Sequence, residues 1–174
     1  MTETQAGPEP AAAGPESAAG PESAAGLEIV AEPEVPAESA AVGGPATGAI
    51  HHVELWVPNL DRAIISWGWL LTSLGYRMFQ DWPGGRSWQA GDAYIVVEQS
   101  PARTASRHDR CRPGLNHLAF HVSSRQQVDD LTAEALLHGW RLMFSDSHPY
   151  AGGPQHYAAY LENVDGFEAE LVAD

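Results

Sequence analysis

The sequence predicts an α+β fold made of two copies of one βαβββ module, preceded by a disordered tail. Residues 50–57 (IHHVELWV) and 114–122 (GLNHLAFHV) both place a histidine ahead of alternating apolar and polar residues, the pattern of a strand with one buried face. A helical pattern that ends at a glycine follows each strand. His52 and His117 are about 65 residues apart, and the two glycines repeat at nearly the same interval.

Composition narrows the possible partners. The formal net charge is −14 and all nine basic residues are Arg, which argues against nucleic acid as a partner. No apolar run is long enough to cross a membrane, and the N-terminus lacks the features of a signal peptide. Cys111 is the single cysteine, so we expect no intrachain disulfide and a cytoplasmic location.

Residues 1–47 form a low-complexity segment that repeats Gly-Pro-Glu-Ser and holds eight Glu without a basic residue. Such a segment buries too little apolar surface to offset the entropy of ordering it. We therefore predict a disordered tail over residues 1–47 and a folded domain over residues 48–174.

In the first module, residues 50–99, the opening strand leads into a helix capped by Asn59 or Asp61 and ended by Gly75. Apolar residues recur at helical spacing along it, at Leu60, Ile64, Trp67, Leu71 and Leu74. Three further strands are predicted at residues 76–80, 86–90 and 93–99, separated by turn-forming residues.

A polar and basic connector, residues 100–113, joins the modules. It either is a solvated link or clamps an anionic substrate. In the second module, residues 114–174, Ser124 and Gln127 begin the helix as a capping box and Gly139 ends it. Strands are predicted at residues 140–145, 156–161 and 167–173, with a loop over 146–155.

Four motifs occur in order over residues 50–173: HHVELWV with a helix ending in LGY, GDAYIVVEQ, GLNHLAFHV and YLENVDGFEAELV. With these motifs the chain resembles the vicinal oxygen chelate superfamily, also called the glyoxalase/bleomycin-resistance/dioxygenase group. The resemblance implies that the paired modules form a half-open cup of mixed sheets around a metal that substrate oxygens chelate. It also implies a homodimer that acts on a small molecule.

Within this resemblance, four ligand positions carry over to His52, Glu98, His117 and Glu170. Two imidazoles and two carboxylates suit one divalent ion, with Ni, Co, Zn and Fe as the alternatives. The alternation supports His52 over His51, because His52 shares the polar face of its strand with Trp56.

The remaining candidates lie around these ligands. His156 and Tyr160 share one strand face, and in ring-cleaving dioxygenases of the superfamily a His and a Tyr near the last Glu assist the chemistry. Here Val164 replaces the usual Pro and His156 lies close to Tyr160, so a core or cavity-lining role stays open. Predicted substrate contacts are Trp56, Trp88, Arg86 and His121.

The function expected from the resemblance is that of a metal-dependent glyoxalase-like lyase or isomerase acting on a small α-oxo or hydroxy-carbonyl compound. Glu170 or Glu98 would remove a proton from carbon while the metal stabilises the enediolate. One alternative is an Fe(II)-dependent extradiol-type dioxygenase that uses His52, His117 and Glu170. The other is a non-enzymatic resistance module that holds an aromatic drug between tryptophans.

Overall fold

The computed structural model describes residues 47–173 of the chain. The predicted tail therefore lies almost entirely outside the described residues, and its disorder stays a prediction. Within residues 47–173, none of the helices has the length and apolar character needed to span a membrane.

The first module folds as a four-stranded mixed sheet in the order β1-β4-β3-β2. β1 pairs with β4 in parallel, and the other neighbours are antiparallel. The strands are β1 (His52–Trp56), β2 (Arg77–Trp82), β3 (Gly85–Ala90) and β4 (Ala93–Glu98).

A helical run connects β1 to β2. It consists of α1 (Leu60–Ala63), a π-helical segment (Ile64–Gly68) and α2 (Trp69–Ser73). The Asn59 side chain accepts a hydrogen bond from the backbone N–H of Arg62 at 2.8 Å, which confirms the predicted cap. Gly75 has a φ of +85°, a left-handed conformation that ends the run where the sequence predicts it.

The second module repeats this plan, with strand order β5-β8-β7-β6 and a parallel β5–β8 pair. The strands are β5 (His117–Val122), β6 (Trp140–Leu142), β7 (Tyr157–Asn163) and β8 (Glu168–Ala173). Between β5 and β6 run α3 (Arg125–Ala135) and a 3-10 turn (Leu136–His138). The Ser124 hydroxyl accepts from the Gln127 N–H, but the Gln127 side chain returns to Ser123 rather than to Ser124.

The strands differ from their predicted limits mainly at β6. The sequence predicts that it reaches residue 145, but it ends at Leu142, because Phe144 adopts a φ of +51° that a strand cannot contain. β7 is longer than predicted and reaches Asn163. The α+β class and the two βαβββ modules are confirmed.

One hydrophobic core joins the two modules. The rings of Trp67, on the helical run, and Trp140, on β6, meet edge to face with centroids 5.0 Å apart. Both side chains are fully buried, and Trp140 Nε1 donates to the Ser66 carbonyl at 3.0 Å. The first helical run therefore packs against the second sheet, on the face opposite to the one that bears His117.

Candidate functional site

The polar face of the second sheet is the surface formed by alternate residues of its strands. Strand pairing sets His117 of β5 opposite Glu168 of β8, and Glu170 of β8 opposite Tyr160 of β7. Residues that face each other across neighbouring strands project to the same side of a sheet. The pairing therefore gathers an imidazole, two carboxylates and a phenol on one surface.

Glu170 is the centre of this group. Its side chain is only 7% exposed, and its two carboxylate oxygens contact different histidines. His117 Nε2 lies 3.2 Å from Oε2, and His156 Nε2 lies 2.5 Å from Oε1. The other ring nitrogen of His117 is 2.7 Å from the side-chain oxygen of Asn116, which fixes the plane of the imidazole. Both imidazoles are about one-third exposed, so they border the surface from which a ligand would reach Glu170.

Tyr160 completes the polar cluster. Burial, a hydrogen bond with Glu170 and the negative charge of Glu170 raise the pKa of Tyr160 to about 12. The phenol therefore keeps its proton at neutral pH and can donate it in a hydrogen bond. Its ring meets that of Phe144 edge to face, with centroids 5.6 Å apart.

The loop over residues 146–155 closes against this cluster at Gly152. A Cβ atom at Gly152 would lie 2.4 Å from His156 Cδ2 and 2.7 Å from the Tyr160 hydroxyl. Only a residue without a side chain leaves both groups where they are. The sequence shows Gly152 as one of several loop glycines, and nothing in its neighbours singles it out.

Two further acidic residues lie on the same surface and are not among the predicted site residues. Glu168 and Glu162 face each other across β8 and β7 and are 3% and 9% exposed. Burial raises the pKa of Glu168, whereas the nearby Arg110 guanidinium acts in the opposite direction. The period of two that places Glu170 on the polar face also places Glu168 there, so the pattern contained this signal.

The first sheet arranges its predicted ligands differently. His52 stacks on Tyr94, its partner across β1 and β4, with ring centroids 4.9 Å apart. Glu98 faces Trp56, four residues further along, which at about 3.3 Å per residue is roughly 13 Å away. Glu170 lies two residues after the strand partner of the histidine on β5. The same position relative to the strand partner of His52 is occupied by Val96.

The predicted metal ligands are consequently not assembled within one chain. Among residues 47–173, no three His, Cys, Asp or Glu side chains form a group that could hold a metal ion. The second sheet joins His117 to Glu170, but Glu98 lies in register with Trp56 instead of His52. A four-ligand metal site therefore does not fit the residues that a single chain brings together.

The predicted substrate contacts separate into two groups. Trp56 is 46% exposed on the polar side of β1, which leaves it available to a ligand. His121 is exposed towards the end of β5, four residues beyond His117. In contrast, Trp88 is 4% exposed and belongs to the core, so its burial leaves no surface for a substrate. Arg86 donates two hydrogen bonds to Asp81 within the β2–β3 hairpin.

Comparisons with known proteins agree with this fold. A family model described as the Glyoxalase/Bleomycin resistance protein/Dioxygenase superfamily matches residues 51–160, more than half of the chain. The uncharacterized protein YqjT of Bacillus subtilis (strain 168) is 44% identical over 126 residues, which are 71% of this chain and 98% of that protein.

Solved structures give the same result. A putative glyoxalase from Bacillus halodurans is 43% identical, with a TM-score of 0.70 over 74% of this chain and 97% of its own. A glyoxalase/bleomycin resistance protein from Albidiferax ferrireducens T118 is 18% identical and supports the fold alone, with a TM-score of 0.58 over 72% of this chain and 98% of its own. The chain therefore belongs to the glyoxalase/bleomycin resistance protein/dioxygenase superfamily.

Proposed function

We propose that this protein is a glyoxalase-type lyase or isomerase that moves a proton on a small α-oxo or hydroxy-carbonyl substrate. The observation that carries the proposal is the Glu170 carboxylate, buried and contacted by the imidazoles of His117 and His156. A positioned carboxylate can remove a proton from carbon, and neighbouring N–H and O–H donors can stabilise the oxygen on which charge develops.

In the proposed reaction, Glu170 takes the proton from the carbon next to the substrate carbonyl. The electron pair of the broken C–H bond moves to the carbonyl oxygen, and the enediolate that results is stabilised by His117 or His156 as hydrogen-bond donors. Transfer of the substrate hydroxyl proton to the former carbonyl oxygen, with return of the proton from Glu170 to the carbon that bore that carbonyl, completes an isomerisation. Tyr160, protonated at neutral pH, orients the Glu170 carboxylate through their hydrogen bond.

A divalent metal, which the family resemblance implies, would require ligands beyond those that one chain assembles. A homodimer, the state we propose, supplies a second copy of His52 and Glu98, whose roles as ligands stay predictions. Support for the dimer comes from apolar side chains of the first sheet that a partner could cover. Trp56, on the polar face of β1, and Phe79, at the β2 bulge, are each about half exposed. A cytoplasmic location, consistent with the single free Cys111, belongs to the same proposal.

Exchange of the substrate C–H proton with deuterated solvent, followed by NMR, tests the role of Glu170 directly. Suitable substrates are dihydroxyacetone and the thiol adducts of methylglyoxal. We expect Glu170→Gln to slow exchange by about 10²–10⁴-fold, the usual contribution of a general base. Glu134→Gln, an exposed change on α3, is the control and should exchange like the wild type. Wild-type exchange in Glu170→Gln would rule out this mechanism.

An Fe(II)-dependent extradiol-type dioxygenase is the second candidate. It is supported by the contacts of both His156 and Tyr160 with Glu170, the neighbours that the resemblance to ring-cleaving dioxygenases leads one to expect. Oxygen uptake with a catechol that depends on added ferrous iron would favour it over proton transfer. A drug-binding module, in contrast, would bind an aromatic ligand without turnover, and His117→Ala would leave that binding intact.

A further inference from the structure

The connector between the two modules concentrates positive charge in an acidic protein. Residues 100–116 contain Arg103, Arg107, Arg110 and Arg112 against a single acid, Asp109, whereas the whole chain carries a formal net charge of −14. The connector is therefore locally positive although the chain as a whole is negative. The four guanidinium groups differ in their contacts.

The connector is anchored at His108. The His108 N–H donates to the Asp165 carbonyl at 2.9 Å, and its imidazole stacks on Phe167 with ring centroids 4.4 Å apart and planes at 4°. A Cβ atom at Gly166 would lie 2.3 Å from the His108 carbonyl oxygen and 2.9 Å from Arg107 Nε. The glycine thus allows the connector to lie directly on the β7–β8 turn, which gives Arg107 a defined position.

The anchored connector borders an open cavity of about 880 Å³. Its lining is formed by residues 104–115 together with Glu162 and Gly166. This volume is within the range of small-molecule sites. Three guanidinium groups border it, those of Arg107, Arg110 and Arg112.

Two of the connector arginines are committed to the protein itself. Arg103 donates to the backbone carbonyls of Val57, Ser100 and Ala105, so it braces the chain. Arg112 pairs with Asp109 three residues away, at 3.1 Å. Arg103 thus contacts backbone oxygens of the chain, and Arg112 lies beside an acid of the connector itself.

Arg107 and Arg110 are placed differently. Arg110 Nε lies 3.0 Å from the buried Glu168 carboxylate. Arg107 Nη2 is 3.8 Å from Glu162 Oε1, beyond hydrogen-bond length, and its side chain is 61% exposed. Glu162 is already paired closely with Arg141 through its other oxygen. At this rim of the cavity, Arg107 and Arg110, with the neighbouring Arg141, share the two carboxylates of Glu162 and Glu168, and the contact of Arg107 is the longest of the three.

This rim lies beside the proposed catalytic carboxylate. Glu168 precedes Glu170 by two residues on the same face of β8, about 7 Å along the strand. Glu168 is also the strand partner of His117. A substrate whose reacting carbon is at Glu170 would thus meet Arg110 with a group about 7 Å away, and Arg107 lies next to Glu162, the strand partner of Glu168.

We infer that Arg107, together with Arg110, binds an anionic group of the substrate, a carboxylate or a phosphate. The guanidinium fork matches the paired oxygens of both anions and forms charge-assisted hydrogen bonds with them. The inference rests on the proposed function for the site at Glu170, and it adds the substrate class: small carbonyl compounds that carry an oxyanion.

Binding of inorganic phosphate and of succinate, measured by calorimetry at constant ionic strength, tests the inference without any turnover. We expect Arg107→Gln to weaken binding of the preferred anion by about tenfold or more, the cost of losing a charge-assisted hydrogen bond. Arg77→Gln removes the same charge from exposed β2 and should bind like the wild type. Tighter binding of phosphate would identify a phosphate ester as the substrate class, and tighter binding of succinate a carboxylate.

Equal affinity of Arg107→Gln and wild type for both anions would overturn the inference, as would absence of binding by the wild type. Arg107→Lys keeps the charge without the fork and should bind with intermediate affinity. Phosphate binding measured with Glu170→Gln tests the anion site independently of the proposed proton transfer. If Arg107-dependent binding is found while the wild type shows no proton exchange, the anion site stands and the proposed reaction falls.

Discussion

Asn163 holds the turn between β7 and β8, and its removal should destabilise the protein strongly. The side chain is 2% exposed, and its Oδ1 accepts the backbone N–H groups of Asp165 and Phe167 at 3.0 Å each. Asn163→Ala leaves two buried donors without this acceptor, at about 1–3 kcal/mol for each. The expected loss in free energy of unfolding is therefore about 2–6 kcal/mol.

Urea denaturation followed by tryptophan fluorescence, at one protein concentration, measures this loss. Asn59→Ala is the matched control, because the Asn59 side chain accepts a single N–H at a helix start and its loss should cost about 1 kcal/mol. An Asn163→Ala variant no less stable than Asn59→Ala would refute the role assigned to the turn. A changed denaturant slope would instead indicate an altered unfolded or native state.

Two further predictions concern the cluster around Glu170. Gly152→Ala should displace His156 by about 1 Å, because the new methyl would lie 2.4 Å from His156 Cδ2, whereas ordinary contacts begin near 3.4 Å. The rate of substrate proton exchange should then fall by up to about 10²-fold. Gly84→Ala, whose Cβ would meet Trp82 at an ordinary 3.6 Å, should leave exchange unchanged, and equal rates in both variants would contradict the crowding argument. Tyr160, with its pKa raised from 10 to about 12, binds its proton more tightly in the folded state, so stability should fall as pH rises from about 10 to 12. Tyr160→Phe should lessen this fall in denaturation measured across that range, and an identical pH dependence would exclude the shift.

Local elements followed from the sequence because their causes are local. The caps at Asn59 and Ser124 and the glycine stops at Gly75 and Gly139 depend on backbone groups within a few residues. Period-two alternation likewise placed His117 on a polar face, since successive side chains of a strand point to opposite sides.

The tertiary structure decided which of these residues meet. Register between β1 and β4, set by pairing across some forty residues, placed Glu98 opposite Trp56 and Val96 at the position that Glu170 occupies in the repeat. The contact of His156 with Glu170 likewise depends on how the loop over residues 146–155 packs against the cluster at Gly152. Alternation specifies the face on which a side chain lies but not its partner on the next strand, because register and loop closure arise from contacts between segments distant in sequence.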